Sequence, residues 1–284
     1  MRPPKPRLPS NLVELLAKAL ESFEHSDARF RTLYTIPSQQ PQAPPPPPPG
    51  YILVLDSSFN PPTLAHQRMV LSALNDPRYK ANQSRVLLLL AINNADKAPK
   101  PASFAHRLAM MYVFAREIAE EAAVVDIAVT KEPYFHAKAL AIASEETYRD
   151  GEQIYLTGYD TLIRIFDPKY YPDDSMKKSL DPFFAHARLR VRMRTSDDWG
   201  DAVQQMAYLD ELRDGRLERI GGRKEWVGRV EMVEGRKVEE AVISSTKVRD
   251  AVKRRDWDAL GELVSEDVVG WIRENDLYVE GERL

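Results

Sequence analysis

The stretch YILVLDSSFNPPTLAHQRM, residues 51–69, decides the fold. Its first five residues, Tyr51 to Leu55, are apolar and mostly strand-favouring, which predicts a buried β-strand. Its end predicts a helix, with Leu64, Met69 and, just beyond, Leu71 on apolar positions. Between them lie small polar residues, Phe59, Asn60 and the pair Pro61–Pro62. A rigid polar turn at the carboxyl end of a buried strand suits a phosphate, because amides at a helix N-terminus point outward and favour negative charge. Asn60 tolerates unusual backbone angles, and the prolines stiffen the way into the helix. Thr63 and His66, spaced i, i+3, can face one ligand, and such a histidine can hydrogen-bond phosphate oxygens as charge develops on them. The plain alternative is a proline-capped helix with a surface histidine.

Outward from this stretch, strand and helix alternate. SRVLLLLAI at 84–92 carries a continuous apolar run from Val86 to Ile92, as in a strand buried on both faces. A helix follows from about Ser103 to Glu121, then strand VVDIAVT at 124–130, a helix near 137–148, strand QIYLTG at 153–158 and a short helix from YDTLIRIF. ARLRVRMR at 187–194 alternates basic and apolar residues, as a half-exposed edge strand would. A helix near 200–213 and a strand near 226–233 precede three helices over 245–255, 256–264 and 266–275. This succession implies an α/β fold, a doubly wound Rossmann-like parallel sheet with right-handed crossovers and C-terminal helices. Such sheets bind ligands at the carboxyl ends of their strands, where the strand order reverses.

Before residue 51 the chain reads differently. NLVELLAKALESFE at 11–24 carries an apolar stripe from Leu12 to Phe23, so residues 1–36 are expected to form an N-terminal helical extension that folds back on the core. Residues 37–50, within TIPSQQPQAPPPPPPG, read as an extended proline-rich linker, more in keeping with a spacer than with an SH3 ligand. Residues 51–284 would then be the main domain. The formal net charge of −3, from 40 basic and 43 acidic side chains, gives no support to a general polyanion binder. ARLRVRMR and KRR lack the aromatic pattern of an RNA-binding surface, so no nucleic-acid partner is expected. The absence of cysteine excludes disulfides and thiol chemistry. No apolar run approaches the ~20 residues of a membrane span. The basic start MRPPKPRLPS is not followed by an apolar segment, so the expectation is a protein without a secretory signal or membrane partner, in cytoplasm or nucleus.

A second motif, ISSTKVRDAVKRRD at 243–256, places Ser244, Ser245 and Thr246 at a helix start, with Arg249 one turn on. Hydroxyls, amides and a guanidinium on one face make an anion clamp, although an ordinary Ser/Thr cap reads the same way. Together, SFNPPTxxH and ISSTxxR resemble the two signatures of the nucleotidylyltransferase superfamily, and the chain resembles an NMN (nicotinamide mononucleotide) adenylyltransferase, closest to the divergent fungal branch. NNADKAPKPASFAHRLAMM and LTGYDTLIRIFDPKYY resemble further segments of that family, and the likeness runs over roughly residues 51 to 279.

The resemblance implies the nucleotidylyltransferase fold and transfer of the adenylyl group of ATP to NMN, giving NAD and pyrophosphate, with Mg²⁺ assisting at the phosphates. It implies that Ser58 and Phe59 line the NMN and phosphate side through their backbone, and that Thr63 and His66 touch the ATP phosphates. His66 would be the main stabiliser of the transition state. Lys97, or else Lys100, would neutralise phosphate charge. Gly158 and Asp160 would contact the adenosine, while Ser245, Thr246 and Arg249, with Arg194, would grip the outer phosphates. His106 and Arg107 would cap or orient their helix. Two positions depart from the family. Ser57 stands where a glycine is usual, at a close approach of backbone to ligand. The stretch GRKVEEAV lacks the tryptophan that stacks on nicotinamide in relatives, which makes Tyr134, Phe135 and Trp226 the candidates to stack instead. No protein metal site is implied, and the resemblance admits a homo-oligomer. Two other readings stay open: transfer to a different phosphorylated acceptor, or a nucleotide-binding, chaperone-like protein without turnover.

Overall fold

The computed structural model describes residues 8–37, 48–80, 82–93, 101–122, 124–171, 175–194, 199–235 and 241–279. The proline tract at 38–47 and the loop bearing Lys97 and Lys100 lie outside them. The chain forms α1 (Leu12–Glu24), β1 (Phe30–Ile36), β2 (Tyr51–Asp56), α2 (Leu64–Leu74), β3 (Ser84–Ala91), α3 (Phe104–Ile118), β4 (Val125–Thr130) and α4 (Phe135–Ala143). It continues through β5 (Glu152–Gly158), α5 (Tyr159–Ile165), α6 (Met176–His186), β6 (Ala187–Arg192), α7 (Ala202–Glu211) and the single turn α8 (Leu217–Arg219). It ends with β7 (Val230–Val233), α9 (Ser245–Lys253), α10 (Trp257–Gly261) and α11 (Glu266–Glu274). Among the described residues no helix is long and apolar enough to cross a membrane.

Among the described residues seven strands form one sheet in the order β1-β4-β3-β2-β5-β6-β7. All neighbours are parallel except β1, which runs antiparallel to β4. Successive residues of a strand point to opposite faces, and the core divides accordingly. Leu53, Leu55, Val86, Leu88 and Leu90 face one layer, packed with α1, α3 and the C-terminal helices. Ile52, Val54, Leu87 and Leu89 face the other, with residues of α4, α5, α6 and α7. Covered faces on both sides explain why residues 52–55 of β2 and 86–90 of β3 are apolar without alternation.

Two expectations require correction. Residues 1–36 are not simply a helical extension: α1 is there, but Phe30–Ile36 join the main sheet as β1. Buried Leu12, Leu16, Leu20 and Phe23 place α1 in the same core layer as α3. The basic strand at 187–194 is not an edge, since β6 lies between β5 and β7. Its arginines are tolerated there because carboxylates meet them. Arg190 pairs with Asp76 and Glu231 at 3.0 and 2.9 Å, and Arg188 with Glu152 at 2.8 Å.

The order of the parallel strands reverses at β2. The chain moves from β2 outward to β3 and β4, then crosses back to β5 on the other side of β2. The carboxyl ends of β2 and β5 therefore bound a crevice.

Candidate active site

Two cavities open at that crevice. The larger, about 330 Å³, is lined from β2 and its turn by Asp56 and Ser57, from α2 by His66, from β5 and α5 by Gly158 and Asp160, and from the α9 side by Ser244 and Ser245. Arg192 and Arg194 line it as well. The second, about 220 Å³, is lined by Ser58, Arg107, Tyr134, His136, Lys138 and Arg164 among others. The cavities share Asp56, Ser57, Phe135 and Thr161.

The turn after β2 is held from three directions. Tyr278 donates its hydroxyl to Asn60 Oδ1 at 2.8 Å, Arg249 Nη1 donates to the Asn60 carbonyl at 2.8 Å, and Ser245 Oγ donates to the Pro61 carbonyl at 2.8 Å. Leu64 N donates to the Leu263 carbonyl at 2.9 Å. The amino ends of α2 and α9, 184 residues apart at the Ser245–Pro61 bond, therefore meet at one wall. Arg249 also donates to Thr246 Oγ1 at 3.1 Å. Arg249 and Thr246 thus brace the turn, and neither is among the lining residues of the two cavities.

Phe59 takes the left-handed backbone of this turn, with φ 44°, while its fully buried ring lies 5.6 Å from the His66 ring. A bulky residue rarely adopts that conformation, and the cost of holding it, on the order of 1 kcal/mol or more, is met by the core around it. Ser57 does not carry this strain, since the positive φ falls at Phe59.

His66 is locked on both ring nitrogens. Thr63 N donates to Nδ1 at 3.0 Å, with Thr63 Oγ1 at 2.8 Å from the same atom. An Nδ1 that accepts a backbone N–H carries no proton, so the ring proton is on Nε2. Nε2 lies 2.9 Å from Ser57 Oγ and donates to it. Burial penalises the charged ring and lowers its pKa from 6.5 to about 4. The imidazole is therefore neutral at physiological pH.

Asp56 ends an otherwise apolar strand and pairs with Lys138 of α4 at 2.5 Å, both side chains being less than a tenth exposed. Lys138 also sits 5.3 Å from the centre of the Phe135 ring. In the larger cavity Arg194 pairs with Asp160 at 2.9 Å, while buried Gln205 fixes the Arg194 backbone by accepting from its N–H and donating to its carbonyl. Arg194 thus orients the carboxylate expected to meet a ribose. Gly158 leaves room for it, since a Cβ there would come within 2.7 Å of Asp160 Oδ1. In the second cavity Tyr134, 43% exposed, stacks on His136 at 5.7 Å with the rings 4° from parallel. Burial lowers the His136 pKa. Arg107 does more than cap its helix: it is buried, donates to the Ala102 carbonyl at 2.9 Å and lines this cavity. Trp226 is removed from the stacking candidates. It is buried in the core against Phe184, and its Nε1–H donates to Asp181 at 3.1 Å.

Sequence reasoning passed over Asp56, His136, Lys138 and Arg164. A carboxylate closing an apolar strand at the ligand end of the sheet was the available signal for Asp56. Lys138 had none, because its partner is 82 residues away.

A parallel sheet in this order, with the amino ends of α2 and α9 converging at its switch point, is the doubly wound α/β fold of the nucleotidylyltransferases. Over 223 residues the chain is 34% identical to a Schizosaccharomyces pombe protein named "Putative nicotinamide mononucleotide adenylyltransferase", covering 78% of this chain and 84% of that one. The chain belongs to the nicotinamide mononucleotide adenylyltransferase family. A solved structure, Plasmodium falciparum nicotinic acid mononucleotide adenylyltransferase complexed with NaAD, shares the fold with a TM-score of 0.50 at 15% identity, over 80% of this chain and 97% of that one. The same enzyme complexed with APC aligns with a TM-score of 0.49 at 14% identity, over 81% and 97% of the two chains. No protein-family model matches the chain.

Proposed function

We propose that the protein transfers the adenylyl group of ATP to nicotinamide mononucleotide, forming NAD and releasing pyrophosphate. The observation that carries this reading is the pair of cavities meeting at Asp56, Ser57, Phe135 and Thr161. An enzyme that joins two nucleotides needs two adjoining sites with the reacting phosphates at their common wall. ATP occupies the larger cavity, with its phosphates over the amino ends of α2 and α9 and its adenosine toward Gly158 and Asp160. The mononucleotide occupies the second, where Arg107, Lys138 and Arg164 outnumber the carboxylate of Asp56 and suit a phosphorylated acceptor. Tyr134 and Phe135 offer ring faces to the pyridine.

An oxygen of the acceptor phosphate attacks the α-phosphorus of ATP in line. A new P–O bond forms, the bond from Pα to the bridging oxygen breaks, and pyrophosphate leaves with that electron pair. Alignment and charge stabilisation carry such a step, with no covalent enzyme intermediate. Among the described residues no three His, Asp or Glu side chains stand together as a metal cage. The carboxylates of the larger cavity, Asp56 and Asp160, are held by Lys138 and Arg194. That donor set suits Mg²⁺ arriving on the phosphates of ATP, where it supplies charge neutralisation.

The test is incubation of the protein with ATP and Mg²⁺ plus NMN, nicotinate mononucleotide or phosphopantetheine, with pyrophosphate and dinucleotide measured. NAD formed with NMN is the expected result. Pyrophosphate released only with phosphopantetheine would overturn the reading.

A further inference from the structure

Both nitrogens of His66 are engaged inside the protein, Nδ1 with Thr63 and Nε2 with Ser57 Oγ at 2.9 Å. The imidazole therefore presents no vacant N–H to a phosphate. The ring lines only the larger cavity, whereas Ser57 is one of the few residues on the wall of both. Because Nε2 carries the ring proton, Ser57 Oγ accepts it and keeps its own O–H as a donor. No acceptor for that O–H stands among the described residues.

We propose that the Ser57 hydroxyl is a catalytic residue of the adenylyl transfer, donating to the phosphate oxygen on which charge builds, and that His66 is its positioning residue. The inference rests on the proposed two-substrate reading and assigns the contact at the junction of its two cavities. His66 fixes the hydroxyl by occupying one of its lone pairs, and Thr63 fixes His66 by occupying Nδ1. The chain of donation runs Thr63 N–H to His66, His66 Nε2–H to Ser57, and Ser57 O–H to phosphate. Polarisation along it strengthens the last bond. Ser57 is not a nucleophile in this arrangement, because its neighbour holds a proton and has no free lone pair to take another. The Ser57 proton stays on its oxygen throughout, and the bonds made and broken are those of the in-line displacement alone.

The experiment compares wild type with Ser57→Ala, Ser57→Thr and Ser57→Gly, all at matched thermal stability. Loss of a preorganised donor should lower kcat in Ser57→Ala by about 10²-fold. Magnesium–ATP affinity, read by calorimetry, should fall up to about tenfold, as for a hydrogen bond to a charged group. Ser57→Thr, which keeps the hydroxyl, should recover both. In the Ser57→Ala background, His66→Gln should add little, since the two act as one unit. Ser57→Ala equal to wild type in both kcat and ATP affinity overturns the inference. So does Ser57→Gly at wild-type rate, which would mean that the imidazole reaches the phosphate itself. A wild type that adenylylates neither mononucleotide removes the two-substrate reading, and ATP affinity alone then decides for or against Ser57.

Discussion

Lys138 and Asp56 form a buried ion pair at the point where the two cavities meet. Such a pair is costly to create and costlier to break, because the partner left behind is a desolvated charge. Lys138→Met should therefore lower unfolding free energy by about 3–5 kcal/mol, and adding Asp56→Asn should restore most of it. Urea unfolding of both variants checks this, and a double variant no more stable than the single one would count against it. His66 makes a pH-dependent contribution of definite sign. Its folded pKa of about 4 lies below its unfolded 6.5, so the unfolded chain takes the proton first. The stabilisation is complete above the unfolded value and is lost as pH falls toward the folded one, by roughly 2–3 kcal/mol at about pH 4.5. The stability gap between wild type and His66→Gln should shrink by that amount between about pH 7 and 4.5. At this scale the sequence was legible where chemistry is local. The i, i+3 spacing of Thr63 and His66 puts both on one side of a helix start, although it was read as facing a ligand and not as the bond the two make with each other. Asp56 with Lys138, and Asp160 with Arg194, are contacts made only by the fold.

Elements were legible in proportion to their periodicity. The apolar runs of β2 and β3 and the striped face of α1 identify themselves, whereas FRTLYTI of β1 mixes polar and apolar residues and was overlooked. α6 was also overlooked, because Pro182 lies inside it. β6 was identified as a strand but misplaced in the sheet, since its alternating arginines imitate an exposed edge until their carboxylate partners are known. The stripe of α1 supports a prediction that separates stability from catalysis. Leu16 is fully buried in the layer shared by α1 and α3, away from both cavities. Leu16→Ala should cost about 2–5 kcal/mol by loss of transfer energy and creation of a cavity. The KM for either substrate should stay unchanged, so thermal unfolding together with steady-state kinetics checks both halves. A raised KM would show that α1 acts on the site through α3.

For the whole molecule the decisive feature is that the sheet is closed at one margin by a strand from before the proline tract. Strand succession predicted the parallel part of the sheet, because each crossover is local in sequence; it could not predict β1, whose partner β4 lies roughly a hundred residues on. β1 is integral by its hydrogen bonds and by its side chains. Thr35 donates to Asp126 Oδ1 at 2.7 Å, and Thr32 lies within 3.0 Å of the Tyr148 hydroxyl. Asp126, completely buried, also receives Arg85 at 2.9 Å and Tyr148 at 2.7 Å. Removing residues 1–47 would strip one donor from this buried carboxylate, bare the edge of β4 and uncover the face of α3 that meets Leu12, Leu16, Leu20 and Phe23. An open β edge beside a bared apolar face is a template for association. The truncated chain should therefore lose its cooperative thermal transition, bind an apolar dye and associate in solution, although every residue proposed for the site is retained. A monomeric truncated chain with a sharp transition and undiminished turnover would show instead that the segment before the proline tract is an accessory, and that β4 can end the sheet alone.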